Sequence, residues 1–117
     1  MMTVVFSHGQ ESGPWGTKIR AMADLARSLG CAVQSIDYQG IADPRDRVTK
    51  LLDEVAGIDD SLVLVGSSMG GHVATAAADT LGAVGLFVLA PAYYMEGYES
   101  LTPEPPSMPT CSVHGWH

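Results

Sequence analysis

Ser68 sits in Gly66-Ser67-Ser68-Met69-Gly70, a Gly-x-Ser-x-Gly pattern placed directly after the apolar run Leu62-Val63-Leu64-Val65 and ahead of an alanine-rich stretch. A serine hydroxyl serves as a nucleophile when a sharp strand-to-helix turn lifts it above the end of a sheet. Such a turn demands small neighbours, because the chain is strained and passes close to other segments. The five-residue pattern alone recurs by chance. Its weight here comes from the setting, a strand before it and a helix after it, with Gly71 as a further small residue. The bland alternative is a glycine-rich loop holding an ordinary serine. A phosphate-binding loop does not fit, since both the Lys-Ser/Thr ending and the Gly-x-Gly-x-x-Gly spacing are missing.

The other residues with chemistry in them are more ordinary in their contexts. His8 follows a short apolar strand and is expected to order its loop through hydrogen bonds rather than act as a base. His72 falls near the start of the helix after Ser68, where a packing or surface role is expected. Asp37 is placed to cap or brace the loop after its strand. Tyr93 and Tyr94 lie just past an apolar strand, where an acyl or aryl group of a substrate could rest, or where they simply anchor a loop. No His-x-x-x-His spacing and no carboxylate at a ligand interval occurs, so neither a metal nor a cofactor is expected.

These residues need elements to hold them, and the apolar period alternates along the chain between that of strands and that of helices. Thr3 to Phe6 reads as a buried strand ending in Ser7-His8-Gly9. Ile19, Met22, Ala23 and Ala26 recur at helical spacing, with Gly30 as the stop. Ala32 to Ile36 is a second strand, closing at Asp37-Tyr38-Gln39-Gly40. Asp43 caps the next helix with Pro44 at its first position, where a missing N–H does no harm. Val48, Leu51, Leu52 and Val55 line that helix, and Gly57 ends it. A third strand over Ser61 to Gly66 leads through the Ser68 turn into a helix over Met69 to Leu81, stopped by Gly82. A fourth strand covers Val84 to Leu89 and a fifth about Thr110 to His114, with a polar, proline-rich surface loop over Ala92 to Pro109. Strands and helices in alternation imply an α/β fold with a parallel sheet and right-handed crossovers. Continuous apolar runs imply strands buried on both faces.

The chain is short enough, at 117 residues, for one domain, and 46% of it is hydrophobic while only 16% is charged. A net charge of −7 excludes a nucleic-acid surface, which needs clustered Lys and Arg to neutralise phosphate. The basic residues run from Lys18 to Lys50 only. Cys31 and Cys111 each sit in or beside a strand-like run and are expected to be buried small hydrophobes, as suits a reducing cytoplasm. No segment has the length of a membrane span, and the first residues lack the pattern of a signal peptide.

Taken together, the strand ending in His8-Gly9, the strand ending in Asp37-Tyr38-Gln39-Gly40 and the Gly66-to-Gly71 turn resemble the α/β-hydrolase superfamily, in particular its small lidless serine esterases. Met108 to Trp116, with His114-Gly115, is similar to the strand that precedes the family's acidic residue. The resemblance covers essentially the whole chain. It implies a five-stranded sheet in order 2-1-3-4-5, Ser68 as nucleophile, and an oxyanion hole built from the backbone amides of Met69 and Gln10. It implies a small ester or thioester as substrate, cleaved through an acyl-enzyme. The physical chemistry agrees, for Met69 opens a helix whose dipole favours negative charge, and Gly9 lets the Gln10 loop approach.

The pattern departs from the family at its end. The family's triad continues with an Asp or Glu beyond the position of Gly115 and a His further on. Glu96 or Glu99 with His114 or His117 follow in a usable order, but order alone does not make a triad. Two expectations therefore stand, a serine hydrolase completed by other residues and a non-catalytic remnant or interaction module. The crossovers also place the first helix alone on one face of the sheet, leaving the third to fifth strands bare there. Self-association through that face or through the open fifth strand is expected.

Overall fold

Eight elements alternate along the chain: β1 (Met2–Ser7), α1 (Thr17–Ser28), β2 (Ala32–Ile36), α2 (Pro44–Val55), β3 (Ser61–Ser67), α3 (Met69–Leu81), β4 (Gly85–Leu89) and β5 (Thr110–Val113). The computed structural model describes residues 1–9, 12–89 and 108–113. The strands form one sheet in the order β2-β1-β3-β4-β5, with every pair parallel. β1 and β3 are neighbours at the point where the order reverses. Their C-terminal ends, Ser7 and Gly66, lie in register, which sets His8-Gly9 beside the turn at Ser68.

Because side chains alternate across a strand, each apolar run feeds two cores. Val5, Leu64, Leu86 and Val88 are buried on one face with Leu51 and Val55 of α2 and Val73, Ala74 and Ala77 of α3. Val4, Phe6 and Val65 point the other way, against Ile19, Ala23 and Ala26 of α1. One helix on one face and two on the other is the arrangement that right-handed crossovers impose.

The helix signals act as expected. The Asp43 carboxylate accepts the Arg45 amide at 2.8 Å with Pro44 in the first turn, while Gly30 (φ +86) and Gly82 (φ +62) take the left-handed conformation that ends α1 and α3. The α1 face of the sheet is only partly covered. A groove of about 390 Å³ runs over Phe6, Val63, Val65 and Phe87 beside Leu25 and Leu29, which are 62% and 74% exposed.

Two expectations need correction. Val84 is 48% exposed and lies before β4, its amide bonded to the Leu62 carbonyl, so the strand begins at Gly85. The cysteines are not buried: Cys31 is half-buried and Cys111 exposed. Cys111 is in register with Phe87 and therefore points to the α1 face, which α1 does not cover as far as β5. The end of the expected fifth strand, His114, lies outside the described residues.

Candidate active site

Two backbone hydrogen bonds hold the turn between β3 and α3. The Ser68 amide donates to the Leu89 carbonyl at 3.0 Å, and the Ser68 carbonyl accepts from the Gly71 amide at 2.9 Å. Between these anchors Ser68 has φ 55° and ψ −121°, and it is the one positive-φ residue among the described ones that is not glycine. A side chain held there costs on the order of 1–3 kcal/mol, which the surrounding packing must supply. Ser68 occupies the N-cap position of α3, yet its hydroxyl caps no amide of the helix, unlike an ordinary capping serine. It is exposed, while Gly66 and Met69 on either side are buried. The Met69 amide is the first of α3, where no intrahelical acceptor exists.

Glycines bring the neighbouring segments in. A Cβ on Gly70 would overlap the Ser7 carbonyl and stand 2.7 Å from the His8 carbonyl oxygen, so the start of α3 packs on the end of β1 backbone to backbone. A Cβ on Gly66 would overlap the Gly70 carbonyl and lie 2.7 Å from the Gly71 Cα. Gly9 is less tight, its would-be Cβ lying 3.3 Å from the Ser68 Cβ. Beside this junction, His8, Ser12, Gly16, Thr17, Ile19 and Ser67 line a cleft of about 280 Å³.

His8 is 1% exposed, and both its ring nitrogens are occupied. The Tyr38 amide donates to Nε2 at 2.8 Å, so Nε2 is an acceptor and the proton belongs on Nδ1, which donates to the Gly9 carbonyl at 2.7 Å. Burial holds the imidazole pKa below its ordinary 6.5, and Arg47 lowers it further, against the raising effects of the Gly9 bond and of Asp37. This neutral, doubly bonded ring orders its loop, as its position suggests, and has no lone pair for a serine proton. Asp37 likewise braces its own loop, accepting the Gln39 amide at 2.9 Å. His72 is 2% exposed and lines a groove between α2 and α3 with Pro44, Val48 and Ala76. Tyr38, which the pattern did not single out, is fully buried with its hydroxyl 2.9 Å from Ser7 Oγ.

The largest surprise is Arg47, 1% exposed in α2. Its Nε donates to the Ile41 carbonyl at 2.6 Å, one terminal nitrogen reaches the His8 and Gly9 carbonyls at 3.4 and 3.5 Å, and the guanidinium lies 5.3 Å from the centre of the Tyr38 ring. A signal for it existed in the sequence. Pro44, Arg47, Leu51 and Val55 recur at helical spacing, which puts an arginine in the inward stripe.

The structure thus brings together Ser68, Met69 and the His8-Gly9 turn. Gln10, Tyr93 and Tyr94 lie outside the described residues, as do Glu96, Glu99, His114 and His117. No group of three or more His, Cys, Asp or Glu suited to a metal occurs among the described residues. None of their helices is long and apolar enough to cross a membrane.

Comparison with known proteins adds the context. A family model described as the alpha/beta hydrolase family matches residues 4–115. A protein of Xanthomonas campestris pv. campestris described as a hydrolase of the α/β superfamily is similar at 28% identity and a TM-score of 0.86, over 98% of this chain and 72% of its own. Alpha/beta hydrolase domain-containing protein 10 from mouse is similar at 26% identity and a TM-score of 0.67, over 77% of this chain and 41% of its own. A YdeN-like hydrolase of Pectobacterium atrosepticum shares the fold at 20% identity and a TM-score of 0.71, over 95% of this chain and 61% of its own. The search of curated proteins by sequence gave no significant match. The present chain therefore spans from two fifths to under three quarters of the length of these structures. With the family model matching nearly from end to end, the chain belongs to the α/β-hydrolase family.

Proposed function

We propose that this chain carries the nucleophile and oxyanion site of a serine hydrolase that cleaves a small ester or thioester. The observation that carries the proposal is Ser68 itself, exposed, held at φ 55° between a strand and a helix, and capping nothing. A strained serine is retained where its position matters more than its stability. Family membership and the hydrolase description of the Xanthomonas relative support the same reaction class.

In this mechanism Ser68 Oγ attacks the carbonyl carbon of the substrate while a base takes its proton. The carbonyl oxygen becomes the oxyanion, and the Met69 and Gln10 amides receive it, each contributing about 3 kcal/mol to the transition state. Collapse breaks the bond to the alcohol or thiol, which leaves with that proton, and Ser68 is acylated. Water then attacks the acyl carbon, the acid departs and Ser68 Oγ recovers its proton. The cleft beside Ser67 takes one arm of the substrate, and Tyr93 and Tyr94, outside the described residues, are the further candidates for contacting its acyl or aryl group. His8 is not the base, because its Nε2 already accepts the Tyr38 amide. The base and its acid come from outside the described residues.

A fluorophosphonate probe with intact-mass and peptide analysis tests this on the full-length protein. One adduct on Ser68, absent from Ser68→Ala, is expected. An adduct that survives Ser68→Ala refutes the assignment, and an unlabelled wild type favours a non-catalytic module built on the same fold.

A further inference from the structure

A guanidinium is costly to bury, and proteins usually match it with a carboxylate. Arg47 is 1% exposed, yet no carboxylate among the described residues pairs with it within 4.0 Å. Its hydrogen bonds go to main-chain carbonyls, a near one from Nε to Ile41 and a longer forked one to His8 and Gly9. Volume alone does not explain the residue, since a methionine would fill the same space without the desolvation. What an arginine adds is a fixed set of donors on the turn next to Ser68.

The Gly9 carbonyl is anchored more heavily than its two lone pairs need. Besides Arg47 it receives His8 Nδ1 at 2.7 Å and Ser12 Oγ at 3.4 Å. A peptide unit is planar, so a group that holds this carbonyl also holds the amide at the other end of the same unit. That amide belongs to Gln10. Glycine supplies the freedom to flip this unit, and the Gly9 Cα stands beside the Ser68 side chain, so both the need for a clamp and its target are local.

We propose that Arg47 is a positioning residue for the Ser68 site: from α2 it grips the His8 and Gly9 carbonyls and so fixes the peptide whose Gln10 amide receives the oxyanion. The inference rests on the proposed function, with Ser68 as the nucleophile and the Gln10 amide as an oxyanion donor. Arg47 touches no substrate and acts through the loop. The His8 and Ser12 bonds remain when it is removed, so its loss should reduce the population of the correct loop rather than abolish it.

The test is the saturation kinetics of fluorophosphonate inactivation for wild type, Arg47→Met and Arg47→Lys, each well below its melting temperature. For Arg47→Met the first-order inactivation rate at saturating probe should fall roughly tenfold, a fraction of the full loss of one oxyanion donor. The probe concentration at half saturation should stay within about twofold, because initial binding does not use the oxyanion. Arg47→Lys keeps a buried cation with a single reach and should fall between the two; it serves as the reference should Arg47→Met not fold. A folded variant that is inactivated at the wild-type rate overturns the inference while leaving Ser68 as nucleophile, and so does one that loses only affinity. A wild type that takes no label overturns the reading of Ser68, and this inference with it.

Discussion

Replacing Gly70 with alanine sets two effects of known sign against each other. Gly70 lies in the first turn of α3, where alanine is the better helix former by up to about 1 kcal/mol. The new Cβ, however, would occupy the place of the Ser7 carbonyl and stand 2.7 Å from the His8 carbonyl oxygen. Both obstacles are backbone, at the last residue of β1 and the one after it, so neither can rotate aside. Overpacking of this kind costs roughly 1–3 kcal/mol, and a backbone obstacle belongs at the upper end, which leaves a net loss of about 2 kcal/mol after the helix gain. At about 4 °C per kcal/mol for a chain of this size, the melting temperature should fall by about 8 °C. Gly57→Ala is the control, since nothing lies within 4 Å of its Cβ position, and it should be neutral or stabilise by about 0.4–1 kcal/mol. Relief of the Gly70 clash requires α3 to move away from β1, which carries Ser68 away from Gly9. Probe labelling at 20 °C should therefore fall further than the folded fraction does. A Gly70→Ala protein that melts with wild type would refute the close approach of α3 to β1 on which the site is built.

Two further predictions follow from the same geometry. His8 is kept neutral in the fold with its pKa below 6.5, so the unfolded chain takes up a proton that the folded one refuses. Stability should be flat above about pH 6.5 and fall on acidification from there to the lowered native value, with Tyr38, Arg47, Asp37 and Lys50 as the groups around the ring; denaturation at pH 7.5, 6 and 5 reads this, and no loss by pH 5 would refute it. The apolar groove over Phe6, Val63 and Phe87 should be covered by a second copy of this chain, giving concentration-dependent sedimentation that Leu29→Glu weakens. A monomer at every concentration would refute that.

What was legible in the sequence was what repeats at short range. Continuous apolar strands announced burial on both faces, Asp43-Pro44 announced a helix start, and Gly30 and Gly82 announced helix ends, because each signal acts within a few residues of itself. Alternation and handedness gave a parallel sheet with right-handed crossovers, while its order, β2-β1-β3-β4-β5, was implied by the family resemblance. Around Ser68 the same short-range logic gave the turn and its small residues, Gly70 among them, but not what Gly70 packs against, since that obstacle sits some sixty residues earlier in the chain. It gave His8 a local role and saw only half of it. The imidazole does hold its own loop through the Gly9 carbonyl, yet its other nitrogen ties that loop to the start of the β2–α2 connection, thirty residues on. Arg47 extends the tie into α2, thirty-nine residues on. Cys111 failed for a related reason: its strand is apolar, but whether a strand face is buried depends on a covering element, and α1 does not extend that far. The missed features share one property. Each depends on which distant segment arrives, and a pattern of residue types fixes the elements well before it fixes their neighbours. In this fold the His8-Gly9 turn is the meeting point of those arrivals, with the β2–α2 connection through Tyr38, α2 through Arg47 and α3 through Gly70 all closing on it. A change at any of the three contacts should therefore be felt at Ser68, though none of them touches its hydroxyl.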